Sequence, residues 1–294
     1  MTPNNFATLR DVLRYAITRF NQEGLFFGHG SSNAFDEAAY LLLHTLKLPL
    51  DQLEPFLDAR LLQDEIDALL RVIIHRAEDR IPAAYLTNEA WLGSYRFYVD
   101  ENVIVPRSFI AELIPERFSP WIKDADAVTD LLDLCTGSGC LPIMLADAFP
   151  EAHVDAVDIS PPALGVARRN VSDYELQERI TLVESDLYAQ LPAKQYDVII
   201  SNPPYVNSTA MAALPQEYLR EPQLALDGGS DGMDLVRKIV AGAKSRLKPG
   251  GLLMVEIGNE RAHAEAAFPD LPFTWLTTSA GDDMVFLLTA EQLP

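Results

Sequence analysis

Five short apolar runs between residues 128 and 257 constrain the fold more than any other feature. They occupy residues 128–134, 153–158, 180–184, 196–201 and 252–257, and helical stretches separate most of them. Strands that alternate with helices form a parallel sheet with helices on both faces. Two later runs, 273–278 and 284–288, flank a short polar turn and predict an antiparallel pair. The sequence therefore predicts an α/β, doubly wound, Rossmann-like sheet with a C-terminal antiparallel strand pair, beginning near residue 124.

The first 80 residues have a different pattern, in which apolar residues recur at helical spacing. Three such stretches, about 6–20, 35–46 and 64–77, predict a small helical domain. The run 91–105 then alternates around an Asp-Glu-Asn turn, which predicts a β-hairpin, and a helical stretch at 109–118 follows. We therefore predict three parts, which are a helical domain of residues 1–80, a β-hairpin bridge with a connecting helix at 81–123, and the α/β domain at 124–294.

Charge and composition limit the class of partner. The chain has 43 acidic and 23 basic residues, and its formal charge of −20 argues against a large nucleic-acid interface, which needs a basic face. The same charge suits a basic protein partner.

We expect no membrane segment, because no apolar run reaches the roughly 18 residues of a span. The N-terminus lacks the pattern of a secretory signal, and the use of two cysteines five residues apart favours a reducing, cytoplasmic location. The histidines lack metal-ligand spacing, so we expect no metal.

A glycine loop follows the first strand of the predicted sheet and opens a helix. It reads Cys135-Thr136-Gly137-Ser138-Gly139, and Asp158 ends the next strand 19 residues beyond the last glycine. Such glycines let the backbone approach a ligand closely, and an acidic residue about 20 positions later commonly binds ribose hydroxyls. By itself this arrangement fits either a nicotinamide cofactor or S-adenosylmethionine.

The fourth strand ends in Asn202-Pro203-Pro204-Tyr205. Neither proline has an amide hydrogen to donate to a sheet, so the strand must stop here. The carboxamide oxygen of Asn202 and the carbonyl oxygen of Pro203 are two acceptors that can hold an NH2 group, and the Tyr205 ring can cover the flat group that carries it. The motif therefore predicts a site for a planar amide or amino nitrogen, such as that of glutamine or adenine.

These motifs, with residues 83–87 and 103–108, resemble those of the HemK-type protein N5-glutamine methyltransferases over about residues 5–292. The stretch from Asp133 to Gly139 is similar to the D-x-x-T-G-S-G pattern of methyltransferases, which favours S-adenosylmethionine. Within the family, Thr-Asn-Glu-Ala-Trp at 87–91 is most similar to the branch that acts on large-subunit ribosomal protein three. Enzymes that act on release factors usually have a glycine after that threonine. The chain departs from the family pattern at Phe109, where proline is usual, and at Pro142.

The resemblance implies a class I methyltransferase fold with S-adenosylmethionine as the cofactor, and it implies a role for each motif residue. The loop from Cys135 to Gly139 would hold the methionine part of the donor, Asp158 would bind the ribose, and Asp186 with Leu187 would contact the adenine. The implied donor-binding set is Asp133, Cys135, Thr136, Gly137, Ser138, Gly139, Asp158, Ile159, Asp186, Leu187 and Asn202. The implied substrate-binding set is Asn202, Pro203, Pro204 and Tyr205, of which Asn202, Pro203 and Tyr205 would be catalytic.

The implied reaction is methyl transfer to a glutamine side-chain amide of large-subunit ribosomal protein three, a basic protein that the helical domain would select. Three alternatives stay open: a release factor as substrate, an adenine-N6 nucleic-acid methyltransferase, and an inactive donor-binding assembly subunit. The charge of −20 disfavours the second, and the intact Asn202 motif disfavours the third. Glu256, which ends the fifth strand, could lie near the site or face solvent. The glycines of residues 227–232 need no role beyond a turn.

Overall fold

A computed structural model describes residues 6–294, which form two compact units. One unit extends to Ala90 and also includes Pro215–Arg220. The other contains Trp91–Leu214 and Glu221–Pro294. Residues 81–90 therefore pack with the helices of the first unit, and a short segment from the second half of the chain joins them. The three-part functional division with boundaries at 80 and 123 stays a prediction.

The first unit is a helical bundle whose apolar stripes meet in one core. Its helices are α1 (Leu9–Gln22), α2 (Ala34–Thr45), α3 (Gln63–Ala77) and α4 (Ala83–Thr87). The first three confirm the predicted helices. Local capping determines where they begin, since the carboxylate of Asp11 accepts the Thr8 N–H at 3.0 Å before α1, and the Asn33 side chain accepts the Asp36 N–H at 3.0 Å before α2.

The β-hairpin lies earlier in the chain than the sequence predicted. Its strands are β1 (Ala90–Leu92) and β2 (Tyr95–Phe97), which turn at Gly93 rather than at the Asp-Glu-Asn triplet. Gly93 adopts a φ of 59°, which a tight hairpin turn requires and which glycine tolerates. The Asp100 carboxylate instead accepts the Asn102 N–H at 3.0 Å, so that triplet forms a side-chain-stabilised turn outside the hairpin.

The helix predicted at 109–118 is shorter in the structure. Only Ile110–Leu113 is α-helical, and we label it α5. Arg117 and Phe118 have φ values of 49° and 58°, and such left-handed backbone cannot belong to a right-handed helix.

The second unit contains a seven-stranded sheet, which confirms the predicted α/β fold. Its strands are β3 (Asp130–Leu134), β4 (His153–Asp158), β5 (Ile180–Glu184), β6 (Tyr196–Ser201), β7 (Leu247–Glu256), β8 (Thr274–Thr278) and β9 (Gly281–Thr289). The order is β5-β4-β3-β6-β7-β9-β8, with parallel pairing from β5 to β7. The pairs β7–β9 and β9–β8 are antiparallel, as expected for the C-terminal strands.

Helices cover the two faces of this sheet, and side chains alternate between them. The covering helices are α6 (Cys140–Ala148), α7 (Pro161–Asp173), α9 (Asp234–Arg246) and α10 (Arg261–Ala267), whereas the short helix α8 (Ser208–Met211) has no buried residue. In β3, Leu131 and the next residue, Leu132, are both fully buried but pack in different apolar clusters, one on each face. The chain leaves β3 toward β4 and β5 on one side and returns through β6 and β7 on the other. Ligands bind at such a reversal, beyond the carboxyl ends of the strands.

Candidate active site

A pocket of about 930 Å³, including its solvent-open part, lies at the carboxyl ends of β3, β4, β5 and β6. Eight of the residues singled out in the sequence line it, namely Cys135, Gly137, Asp158, Ile159, Asp186, Leu187, Asn202 and Pro204. Six others are outside its wall, namely Asp133, Thr136, Ser138, Gly139, Pro203 and Tyr205. The fold therefore brings the glycine loop after β3, the residues that follow β4 and β5, and the Asn-Pro-Pro motif after β6 to one cavity.

The glycine loop and Asp158 are joined by backbone hydrogen bonds. The Gly137 N–H donates to one carboxylate oxygen of Asp158 at 2.8 Å, and the Ser160 N–H donates to the other at 2.9 Å. Gly137 has a φ of 54°, a conformation that a residue with a Cβ adopts with strain. Burial raises the pKa of Asp158, although these backbone donors oppose the shift. The carboxylate is thus held in one orientation at the pocket wall.

Asp133 is a fully buried carboxyl group beneath the loop. Neither of its oxygens, nor the Thr136 hydroxyl, has a hydrogen-bond partner among the residues that the structure describes. Burial raises the pKa of Asp133 to about 8, and the nearby charge of Asp158 adds to the shift. A cationic ligand would lower the cost of ionising such a group. The orphaned carboxyl therefore fits a site that receives a positively charged cofactor.

Apolar side chains line the pocket near the ends of β4 and β5. Ile159 is 52% exposed, and Leu187 is buried with a φ of 50°. The Ser185 hydroxyl donates to the Leu187 carbonyl at 2.8 Å and stabilises this left-handed turn. Asp186 between them is exposed. Apolar walls with a few polar groups are the usual lining for a flat aromatic ligand.

The Asn-Pro-Pro motif is held at the end of β6 by the residue before it. The Ser201 hydroxyl donates to the Leu134 carbonyl at 2.8 Å, which ties the end of β6 to the end of β3. Pro203 and Pro204 are buried, whereas Asn202 is partly exposed. Within residues 6–294, no hydrogen bond involves the Asn202 side chain, so its carboxamide is available to a ligand.

Three glycines surround Tyr205, and the sequence had suggested no role for two of them beyond a turn. A Cβ at Gly228 would lie 2.7 Å from the Tyr205 Cα, and one at Gly232 would lie 2.3 Å from the Tyr205 carbonyl oxygen. A Cβ at Gly258 would lie 2.6 Å from the Tyr205 ring. A side chain at Gly228 or Gly232 would therefore require the Tyr205 backbone to move, and one at Gly258 would displace the Tyr205 ring. We call these three residues the glycine cradle, and the interpretation of Gly228 and Gly232 as turn residues only was wrong.

Two stretches of the pocket wall carry no role in the sequence predictions. The first is Asn102, Val103 and Ile104, and the second is Pro222, Leu224 and Ala225. Val103 and Ile104 belong to the motif at 103–108 that resembles the family, and this resemblance could have indicated their place in the pocket wall. The second has no local pattern that distinguishes it from an ordinary loop. Leu235 and Lys238 of α9 complete this side of the pocket.

Glu256 is buried at 1% exposure, so the solvent-facing alternative was wrong. One of its oxygens accepts the Ser108 hydroxyl at 2.6 Å, the Phe109 N–H at 2.8 Å and the Ile110 N–H at 3.4 Å. A proline at position 109, which the resemblance led us to expect, has no backbone N–H to donate in this way. Glu256 is absent from the pocket wall and instead anchors the segment that leads into α5.

Burial raises the pKa of Glu256 to about 7 from the 4.5 of an exposed glutamate. The folded state then binds more protons than the unfolded state between these values, so stability falls as pH rises from about 4.5 to 7. The full shift corresponds to at most about 3 kcal/mol. We expect Glu256→Gln to remove this part of the pH dependence, because glutamine accepts the same bonds without a charge. Urea unfolding of the wild type and the variant at pH 5 and pH 7.5 measures the change in unfolding free energy. An equal change with pH in both proteins would contradict the expectation.

The described residues 6–294 include no cluster of three or more histidine, cysteine, aspartate or glutamate side chains that could hold a metal ion. None of their helices is both long enough and apolar enough to cross a membrane.

Comparison with known proteins identifies the family of the chain. Residues 121–230 match the family model "Methyltransferase small domain". A curated protein of Burkholderia pseudomallei named ribosomal protein uL3 glutamine methyltransferase is 60% identical over all of this chain and 98% of its own length. Proteins with the same name from Neisseria gonorrhoeae and Bordetella pertussis are each 58% identical over 97% of this chain, and 95% and 96% of their lengths are covered. The predicted family is confirmed, and the chain belongs to the ribosomal protein uL3 glutamine methyltransferases.

Proposed function

We propose that this S-adenosylmethionine-dependent methyltransferase methylates the side-chain amide nitrogen of a glutamine in ribosomal protein uL3, the large-subunit protein three. The names of relatives at 58–60% identity over nearly the whole chain support this acceptor. The observation that carries the proposal is the available Asn202 carboxamide, which lines the same pocket as the glycine loop and Asp158. Relatives of this kind give no support to a release factor or to adenine as the acceptor.

The donor fits the pocket by the chemistry of its walls. We assign its methionine part to the loop from Cys135 to Gly139, with the orphaned carboxyl of Asp133 beneath the loop to balance the positive charge. Asp158 would accept ribose hydroxyls, and Ile159 with Asp186 and Leu187 would contact the adenine. When bound, S-adenosylmethionine supplies an electrophilic methyl group on its sulfonium.

The acceptor poses the harder chemical problem, because the lone pair of an amide nitrogen is delocalised into its carbonyl. In our proposal the Asn202 carboxamide oxygen and the Pro203 carbonyl accept the two N–H donors of the glutamine side chain, and Tyr205 packs on the amide plane. These contacts orient the nitrogen lone pair toward the pocket. Positioning of this kind can contribute about 7–11 kcal/mol to a rate enhancement. No base is required, since the methylated nitrogen can release its proton to water.

The acceptor is tested by methyl transfer from labelled S-adenosylmethionine to purified uL3, with a purified release factor and a mixed nucleic-acid sample in parallel. We expect label on uL3 alone, and mass spectrometry should place it on a glutamine. Label on the release factor would keep the chemistry and refute the acceptor. Label on nucleic acid would refute the proposal that a charge of −20 excludes a large nucleic-acid interface.

The helical unit and the location of the enzyme complete the proposal. We expect the N-terminal helical domain to select the substrate, and the exposed rings of Phe26 and Phe35, at 41% and 49% exposure, are available for a protein contact. Grafting this domain onto a release-factor enzyme should change the substrate preference, and an unchanged preference would refute the role. A ribosomal protein substrate supports our proposal that the enzyme acts in the cytoplasm.

Gly258→Ala is expected to slow methyl transfer roughly 10–100-fold, the cost of a small misplacement near the reacting groups. The new Cβ would lie 2.6 Å from the Tyr205 ring, and Gly258 has a φ of 52°, so Tyr205 must move. Donor affinity should not change, because Gly258 is absent from the pocket wall. Single-turnover rates and equilibrium donor binding measure the two effects. Gly165→Ala is the matched control, because a Cβ at this exposed position in α7 meets no atom within 4 Å. A full rate in Gly258→Ala would show that the cradle is not needed.

A further inference from the structure

Two wall segments of the donor pocket come from loops rather than from the sheet. One contains Asn102, Val103 and Ile104, and the other contains Pro222, Leu224 and Ala225. The second includes a single 3₁₀ turn at Gln223–Ala225, and no strand pairing connects it with the first. Side-chain contacts must therefore determine the distance between these segments, and with it the shape of this side of the pocket.

Glu221 makes the contacts that join the two segments. Its side chain is fully buried, and one oxygen accepts the Val105 N–H at 2.9 Å and Nη1 of Arg107 at 2.6 Å. The other oxygen accepts Nη2 of Arg107 at 2.6 Å. A bidentate pair of this kind is both strong and directional. Val105 directly follows the first wall segment, and Glu221 directly precedes the second. The hydrogen bond between them therefore joins positions that are each one residue away from the pocket wall.

Further hydrogen bonds hold the chain after each of the two segments. Beyond Arg107, the Glu256 carboxylate binds the backbone at Phe109, as described above. Beyond Ala225, the Val206 N–H donates to the Leu226 carbonyl and the Gly228 N–H donates to the Val206 carbonyl, each at 2.9 Å. Val206 directly follows Tyr205. These contacts connect Glu256, at the end of β7, with the proposed acceptor motif next to Val206. The ion pair between Arg107 and Glu221 is the middle contact of this series.

We propose that Arg107 and Glu221 are positioning residues of the methyl-transfer site. They hold the two wall segments at the separation that binds the donor, and they keep the segment after Tyr205 in register with the donor pocket. Neither side chain is part of the pocket wall, so their effect is indirect. The inference rests on the proposed donor pocket, and it does not depend on the identity of the acceptor.

Conservative variants test this role, because a larger change would leave a buried charge without a partner and could unfold the protein. Arg107→Lys keeps the charge but cannot form the bidentate pair, and Glu221→Gln keeps the shape but loses the charge. We expect each to bind S-adenosylmethionine and S-adenosylhomocysteine about tenfold more weakly, by calorimetry at a temperature where circular dichroism shows folded protein. The KM for the donor should rise more than kcat falls.

A matched control and a double variant separate positioning from general stability. Arg261→Lys alters an exposed pair, in which Arg261 donates to Glu265 at 2.9 Å, and should bind the donor like the wild type. The double variant Arg107→Lys/Glu221→Gln should lose little more affinity than either single variant, because both act on one contact.

Three results would overturn the inference. The first is donor affinity within twofold of the wild type in both single variants. The second is a lower Tm and kcat with unchanged donor affinity, which would show a merely structural role. The third is fully additive losses in the double variant. Failure of the wild type itself to bind the donor, or donor binding that is insensitive to Asp158→Asn, would instead refute the proposed pocket on which the inference rests.

Discussion

Asn202→Ala is expected to lower the rate of methyl transfer to uL3 about 10²–10³-fold, the usual loss when one preorganised hydrogen-bonding group is removed from an active site. The partly exposed carboxamide has no partner among the described residues and lines the donor pocket. In our proposal its oxygen orients the acceptor nitrogen, so the loss should affect kcat far more than donor affinity. Single-turnover transfer at saturating donor, with equilibrium binding of the donor alongside, measures both quantities.

A second substitution at the same position tests which atom of the carboxamide matters. Asn202→Asp keeps an acceptor oxygen and should retain more activity than Asn202→Ala. Ser208→Ala, six positions later at the start of α8, is the matched control, because the Ser208 hydroxyl donates to the Gly229 carbonyl at an exposed site. An alanine variant of Asn202 with more than a tenth of the wild-type rate would contradict the proposed role.

Asp158→Asn is expected to weaken donor binding about 10–100-fold, because hydrogen bonds to a charged group typically contribute about 1.5–3 kcal/mol. The carboxylate accepts N–H groups from Gly137 and Ser160 and also lines the pocket. An amide retains only one acceptor oxygen, so it cannot hold the glycine loop and accept ribose hydroxyls equally well. Calorimetric titration with S-adenosylhomocysteine measures the loss without requiring an acceptor protein.

The same site should show a characteristic pH dependence. Burial raises the pKa of Asp158, so its protonation, and with it the loss of donor affinity, should begin at a higher pH than for an exposed aspartate. Affinity is present above that pKa and falls as pH decreases through it, whereas Asp158→Asn should lack this fall. Asp173→Asn changes a side chain that is 60% exposed on α7 and serves as the control. Equal donor affinity in the Asp158 variant and the wild type would refute the ribose assignment.

The parts of this protein that could be read from its sequence depend on neighbouring residues. Ser160 begins α7 because its own side chain accepts the Ala163 N–H at 3.3 Å, and two prolines after Asn202 end β6 because they have no N–H to donate. Short apolar runs separated by helical stretches likewise indicate which segments become parallel strands. Each of these effects operates within a few residues, so the sheet, the glycine loop and the Asn-Pro-Pro motif were all predictable.

The remaining features depend on residues far apart in the chain. Glu256 binds the backbone near Ser108, 148 positions away, and Glu221 binds Arg107, 114 positions away. The neighbouring residues of a carboxylate in a loop or at a strand end do not indicate whether it is buried or solvent-exposed. Its hydrogen-bond partner comes close only when the whole chain has folded. Gly228 and Gly232 looked like turn residues for the same reason.

The sequence by itself determined the α/β sheet, the helical character of the N-terminal part and the residue types of the donor and acceptor motifs, because strand alternation, capping and proline chemistry act locally. Only the tertiary structure decided which loops close the pocket, where the hairpin turns and which carboxylates are buried. Those outcomes depend on contacts between segments that are distant in the chain, where burial and hydrogen bonding choose among loops that are locally equivalent.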